Sequence, residues 1–379
     1  MKKNRSSSYI VSIDNQVLIA YLLLCLVGLV VMLDITSSQG SMIKFYKHGI
    51  SLVASVLAAI VVLYFFNVDK FRPLNRWLIF LIIGLLAAVL IFGVEVNGAK
   101  RWLKLGPFLA QPSTLARLVL VMYFAGYLDL KQEKVGLANV KSLGLEFIPL
   151  IVYTGLIFIF ILLERHLSTL IISGLTLLGM LFYAGLRKRF VMIVVLMGLV
   201  AAGSIIFMGD SFRSDRIRTF KVYSLLVPNR PEPSHSQEEY QVRESLTALT
   251  SGQFLGTGIS RGRAKHYFLP EARTDYVYTI IGEEFGFLGA AAVLLLHAWL
   301  FFRILKLAEQ QENSYHKYLC AGLGMNIFFN ALINTGVSMS IIPSTGNTLP
   351  FVSYGGTALL FDSVSIGLVL NITAKRRQM

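Results

Sequence analysis

Three carboxylates, Asp275, Glu283 and Glu284, stand where the longest polar segment of the chain runs into a strongly apolar one. An ionisable group at the edge of a membrane span is costly, so it usually has a function. Glu271, Arg273 and Thr274 directly precede them. A carboxylate in such a place can accept a proton. Partial burial raises its pKa towards neutral, where a base works best. Cations supply the complementary chemistry. Lys100, Arg101 and Lys104 crowd one short polar segment around Trp102, and Arg and Lys suit phosphate oxygens. An ordinary interfacial loop, with Trp102 at the membrane boundary, explains these four residues equally well. Arg117 lies inside an apolar run and needs a carboxylate or a water-filled cavity; Glu164 is a candidate partner. Lys265 adds a further cation shortly before Asp275. His166 stands alone at a membrane edge, where a structural role is commoner than a ligand role. No His/Glu/Cys spacing defines a tight metal site. The residues therefore demand no cofactor and leave a divalent cation open. Pro343, Gly346, Pro350, Gly355 and Gly356 bracket apolar residues around Ser353. Such backbone cannot face lipid, and belongs beside a cavity or inside the protein.

Holding these residues falls to a membrane scaffold. The 379 residues are 55% hydrophobic and only 15% charged, with mean hydropathy +0.64. A soluble domain carries about 25% charged residues. Apolar runs near 17–33, 50–66, 77–93, 112–130, 147–163, 167–186, 190–208, 276–302, 318–342 and 354–373 predict an all-α integral membrane protein. That makes about ten transmembrane helices, each near the length a ~30 Å hydrocarbon core requires. The first run is followed by Asp34, Ile35 and Thr36, with no small-residue cleavage site, and reads as a retained span. The chain reads as one polytopic domain over 1–379, with a large extracytoplasmic loop at 209–275 between spans seven and eight. Within that loop, 240–249 has helical spacing, with Val242, Leu246 and Leu249 on one face. With the N-terminus in the cytoplasm, segments on that side hold 18 of the 35 basic residues, and short loops on the other side hold six. Both termini are then cytoplasmic and the large loop faces outward. The net charge of +14 is thus largely topological, matched to anionic lipid heads and not to nucleic acid. Cys25 and Cys320 fall inside apolar runs and define neither a disulfide nor a metal site.

Several motifs together resemble the SEDS family (FtsW, RodA and SpoVE) over roughly 90–375. They are Leu269-Pro270-Glu271-Ala272-Arg273-Thr274-Asp275-Tyr276, followed by Ile281-Gly282-Glu283-Glu284-Phe285-Gly286. Asn97-Gly98-Ala99-Lys100-Arg101-Trp102 and Gln111-Pro112-Ser113 add to them, as does the Pro343, Gly346, Leu349-Pro350-Phe351, Ser353-Tyr354-Gly355-Gly356 series. Two stretches depart from the family pattern. Thr114 and Arg117 replace a usual Glu and Lys, and His166 replaces Asp in a Glu-Pro-Asp-Leu-Gly-Thr run of which Glu164 and Thr169 remain.

The resemblance implies an inverting glycosyltransferase at the outer face of the bacterial inner membrane. Its donor is a glycan on undecaprenyl pyrophosphate, and its acceptor is lipid II, whose GlcNAc 4-hydroxyl attacks the anomeric carbon. It further implies Asp275 as base and Lys100, Arg101, Arg117 and Lys265 as cations for the pyrophosphate. Trp102, Glu164, Thr274, Glu284 and Ser353 join the substrate site, Glu283 and Glu284 supporting a polar cavity. A class B penicillin-binding protein, a transpeptidase, is the implied partner. Division, elongation and sporulation roles are not separated, although the 96–102 loop leans to the division type. A lipid II flippase is the competing class, but needs polar groups at mid-membrane or on both sides. Here they gather at one edge. An inactive scaffold is the third reading, which the retained Asp275 opposes.

Overall fold

The computed structural model describes residues 9–96, 99–106, 108–132, 140–186, 189, 192, 211–224, 226–227 and 236–378. Its principal helices are α1 (Asn15–Ser38), α2 (Ile43–Phe65), α3 (Asn75–Phe92), α4 (Pro112–Leu130), α5 (Val140–Leu163), α6 (Leu167–Tyr183), α7 (Ser211–Tyr223), α8 (Gln237–Gly252), α9 (Val277–Glu309), α10 (Ser314–Ser338) and α11 (Gly356–Thr373). Seven helical stretches among the described residues are long and apolar enough to cross a membrane: α1, α2, Val68–Phe92, α4, α9, α10 and α11. Phe147–Leu163 and α6 are apolar but shorter. The expected span at 190–208 lies, except for residue 192, outside the described residues.

Local chemistry starts and stops these helices. The Asp14 carboxylate accepts the N–H groups of Gln16 and Val17, both at 3.1 Å, and so caps α1. Arg303 near the end of α9 donates to the same carboxylate. The Asn371 amide on α11 donates to the carbonyls of Val62 and Leu63 in the last turn of α2 and of Phe66 just after it, and so helps to satisfy that helix end. Strand β1 (Tyr9–Ser12) pairs antiparallel with a strand at Lys375–Gln378, so both ends of the described chain meet on one side.

Helix α10 is the most buried span and packs against α4, α6 and α9, while α2 packs along α11. Large apolar side chains such as Phe65, Phe92 and Trp77 point outward. Charged side chains including Arg117, Glu164, Lys265 and Asp362 lie inside. Apolar outside and polar inside is the arrangement a lipid solvent selects.

Two local features differ from expectation. Strands β2 (Val94–Val96), β3 (Ala99–Leu105) and β4 (Phe108–Ala110) form a three-stranded antiparallel sheet, where a loop was expected. The large loop contains α7 as well as α8, which extends the expected 240–249 helix at both ends. Helix α9 breaks at Gly286 (φ 67°, ψ −165°), a conformation that favours glycine. The carbonyls of Glu283 and Glu284 freed there accept N–H groups from Thr257 and Gly258, while Phe287 and Leu288 donate to the carbonyls of Gln253 and Phe254. The chain after α8 thus repairs the broken helix, as buried backbone requires.

Candidate active site

Asp275 lies two residues ahead of α9, and the backbone around it is held on three successive carbonyls. The Arg273 carbonyl accepts the Tyr354 N–H at 2.9 Å. The Thr274 carbonyl accepts the Ser353 hydroxyl at 2.6 Å, and the Asp275 carbonyl accepts the Asn334 amide at 2.9 Å. Ser353 also accepts the Leu349 N–H at 2.9 Å, so it ties the turn before α11 to the Asp275 segment. Thr274 donates to the Glu271 carboxylate at 3.0 Å. The Asp275 side chain itself keeps partial exposure. Desolvation by the surrounding protein, and then the neighbouring Glu271 charge, push its pKa up to about 6. Arg216, the Thr274 hydroxyl and Arg101 pull in the opposite direction.

Strand β3 aims Arg101. Trp102 pairs with Val94 and Lys100 with Glu95, which leaves Arg101 as the extra residue of a β-bulge. Bulges bend a strand and re-aim a side chain. The guanidinium donates to the carbonyls of Arg165 at 2.6 Å and Glu164 at 3.4 Å. Burial, and then the charge of Arg216, push its pKa down to about 10, so it stays cationic at neutral pH. Gly346 (φ 71°) lies between this guanidinium and Asp275. A methyl group placed on Gly346 would sit 3.5 Å from Asp275 Oδ2 and 3.6 Å from Arg101 Nη1. A carboxylate and a guanidinium therefore converge on one point. Arg216 of α7 is fixed beside them by the Ser344 carbonyl at 3.2 Å and by Glu238 at 3.7 Å. Lys100 and Lys104, by contrast, are solvent-exposed, and Trp102 is half-buried. The three cations of the segment do not act as one group.

Arg117 is buried, and its partner is Asp362 on α11 at 3.7 Å, not the Glu164 expected from the sequence. The pair is loose. Arg117 Nε and Nη1 and Asp362 Oδ2 have no hydrogen-bond partner among the described residues. Both carboxylate oxygens of buried Glu164 are in the same position. Burial pushes the Glu164 pKa up to about 8, so the group is largely protonated at neutral pH. The Ser113 hydroxyl near it favours ionisation, but is held by the His166 ring at 2.9 Å. His166 also meets Thr169 at 3.0 Å and Gln111 at 3.4 Å. Burial and the charges of Arg101, Arg117 and Arg216 hold its pKa well below the usual value, so the ring is neutral.

Lys265 and Glu284 are brought together, but apart from this group. The Lys265 ammonium donates to both oxygens of Asp34 at 2.8 and 2.7 Å, and to Glu284. Glu284 also accepts the Gly262 N–H, and Glu283 accepts those of Arg263 and Ala264. Lys265 is fully buried, with its ammonium on two carboxylates, where a cation facing a phosphate was expected. No three His, Cys, Asp or Glu side chains among the described residues come together as a metal-ligand group.

The sequence profile of the FtsW/RodA/SpoVE family, described as cell cycle proteins, matches residues 14–378. This chain belongs to that family. Among its relatives is the probable peptidoglycan glycosyltransferase FtsW of Alteromonas naphthalenivorans, 34% identical across 99% of this chain and 71% of that protein. The protein of the same name in Aeromonas salmonicida is 32% identical across 96% of this chain and 91% of its own length. The fold is shared with a chain from a peptidoglycan synthase complex that coordinates polymerization and crosslinking. The TM-score is 0.76 at 23% identity, covering 96% of this chain and 98% of that one. It is also shared with the rod shape determining protein RodA of Thermus thermophilus, with TM-score 0.68 at 23% identity over 96% and 97% of the two chains.

Three residues of this FtsW/RodA/SpoVE member are not marked as site residues by the sequence, and a fourth, Arg216, is marked only together with its neighbours. Asp362 and Asp34 are lone carboxylates in apolar helices, which is itself the signal that each has a cationic partner. Gly346 was read only as part of a proline-glycine turn. Arg216 was one of several arginines in the large loop, with nothing in its spacing to separate it from Arg213 or Arg218.

Proposed function

We propose that this family member is a peptidoglycan glycosyltransferase that polymerises lipid II with inversion at the anomeric carbon, Asp275 serving as general base. The oxygen of the acceptor's GlcNAc 4-hydroxyl bonds to the donor's anomeric carbon. Its proton passes to the Asp275 carboxylate. The bond from that carbon to the pyrophosphate oxygen breaks, and the electron pair leaves with undecaprenyl pyrophosphate. Arg101, backed by Arg216, stabilises the leaving charge in a site of restricted solvent access, where such contacts are strongest. Arg117, with two donors unpartnered among the described residues, and protonated Glu164 are suited to phosphate or sugar oxygens.

The observation that carries this reading is the convergence of the Asp275 carboxylate and the Arg101 guanidinium on Gly346. A proton acceptor and a phosphate-binding cation on either side of one glycine suit a hydroxyl attacking a carbon that bears a pyrophosphate. The names of the relatives support the substrate class.

The site belongs at the outer face of the bacterial cytoplasmic membrane, with both termini cytoplasmic. The basic-residue bias supports that orientation, and the pairing of β1 with Lys375–Gln378 supports a common side for the two ends. A class B penicillin-binding protein is the fitting partner, since the fold recurs in a chain of a peptidoglycan synthase complex. Asp275→Asn keeps the side chain's shape and removes the proton acceptor. Purified with its transpeptidase and supplied with lipid II, the variant should polymerise about 10²–10⁴-fold more slowly. Its thermal midpoint should match the wild type. Near-wild-type polymer from Asp275→Asn would refute the assignment.

A further inference from the structure

Lys265, Asp34 and Glu284 lie on three separate elements. Asp34 is in the last turns of α1, Glu284 is in α9 just ahead of the Gly286 break, and Lys265 is on the π-helical turn Ala264–Phe268. The Lys265 ammonium makes three contacts, all to these two carboxylates. The Ser260 hydroxyl adds a bond to Asp34 at 2.6 Å. The Gln39 amide donates to the Lys265 carbonyl at 2.7 Å. On the other flank, Glu283 and Glu284 take the N–H groups of Gly262, Arg263 and Ala264. The segment 260–265 is thus gripped by α1 on one side and α9 on the other. Ten residues later in the same segment comes Asp275.

We infer that Lys265 is a positioning residue: with Asp34 and Glu284 it clamps the end of α1 to α9 and so sets where the following segment delivers Asp275. The inference rests on Asp275 being the base. The carbonyl contacts to Ser353, Asn334 and Tyr354 hold the far end of that segment, and the clamp holds its near end. A small shift at a reacting group costs much, about 10²-fold in rate for 1 Å. An ammonium spent on two carboxylates cannot also serve a pyrophosphate, so the clamp excludes substrate contact by Lys265.

Polymerisation of lipid II by the full-length protein with its transpeptidase, fitted for kcat and KM beside the thermal midpoint in the same detergent, tests this. Lys265→Met strands two buried carboxylates, and should lower the midpoint and cut kcat about 10²-fold per folded molecule, with KM for lipid II within about twofold. Asp34→Asn should cut kcat in the same direction at unchanged KM, although Asp34 touches no substrate. Lys265→Met combined with Asp34→Asn and Glu284→Gln removes all three charges together, and should restore the midpoint and most of kcat. Two results would overturn the clamp. One is an Asp34→Asn variant with wild-type kcat. The other is a Lys265→Met defect that lies in KM, which would mark Lys265 as a substrate contact. If Asp275→Asn itself retained polymerase activity, the base assignment would fall, while the shared kcat loss in the Lys265 and Asp34 variants would still report the clamp.

Discussion

Two buried charged groups in this protein follow opposite rules. Around Lys265 the donors and acceptors are matched: the ammonium donates three times, and Asp34 accepts from Lys265 and Ser260. Around Arg117 and Glu164 they are not. Arg117 meets Asp362 only at 3.7 Å, two of its nitrogens go unpartnered among the described residues, and neither Glu164 oxygen is hydrogen-bonded. Buried polar atoms are normally satisfied, because each one that is not costs about 1–3 kcal/mol. A matched cluster needs nothing further, and serves the fold. An unmatched one has room for water or for the polar groups of a substrate. Under the proposed function, Arg101, Arg117, Glu164 and Asp275 meet the substrate, while Lys265 and Glu284 hold each other and Asp34.

Substitutions can break this division. After Asp275→Asn, the largest effect should come from Arg101→Met, which removes the fixed donor proposed for the leaving group. Losing one such donor typically costs about 10²–10³-fold in kcat. Steady-state kinetics on lipid II would show it, and a loss confined to KM would move Arg101 from the transition state to ground-state binding.

Next comes the Arg117–Asp362 pair. Arg117→Met should destabilise the protein by about 3–5 kcal/mol by stranding the buried Asp362 charge. Arg117→Met with Asp362→Leu should recover the thermal midpoint without recovering activity. Recovery of both would make the pair purely structural, and sharpen the site down to Arg101 and Arg216.

The smallest effect belongs to Lys100. Its exposed ammonium is screened by salt, and a charge of this kind is worth about 0–1 kcal/mol. Lys100→Ala should raise KM for lipid II no more than about fivefold, and the difference should vanish at high salt. A salt-independent collapse in kcat would return Lys100 to the site.

The sequence carried some of this design plainly. Long apolar runs marked the helices because a ~30 Å hydrocarbon core leaves little choice of length. Asp275 stood out because a carboxylate at the mouth of an apolar run is costly and this one lies in a recognisable motif. The sheet at 94–110 was less legible, although Asn97-Gly98 is a strong hairpin signal and Val94 and Val96 alternate with Glu95. Long-range partners were not legible at all. Asp362 lies 245 positions beyond Arg117, and nothing in either helix names the other. Lys265 shows the same limit in reverse. Its closeness to Asp275 along the chain suggested a shared task, and only the packing of α1 against α9 reveals the carboxylates that occupy it.

The central claim is that Asp275, with its pKa raised to about 6, takes the proton of the acceptor hydroxyl. The direct measurement is kcat/KM for lipid II polymerisation from about pH 5 to 8, in detergent where the wild type stays folded. A base works only when deprotonated. The rate should therefore be level above about pH 7, and fall about tenfold per unit below about pH 6, as protons fill the Asp275 carboxylate. Asp275→Asn should lose this inflection along with most of the rate. A profile in the wild type that stays flat down to pH 5, with folding intact, would contradict the account.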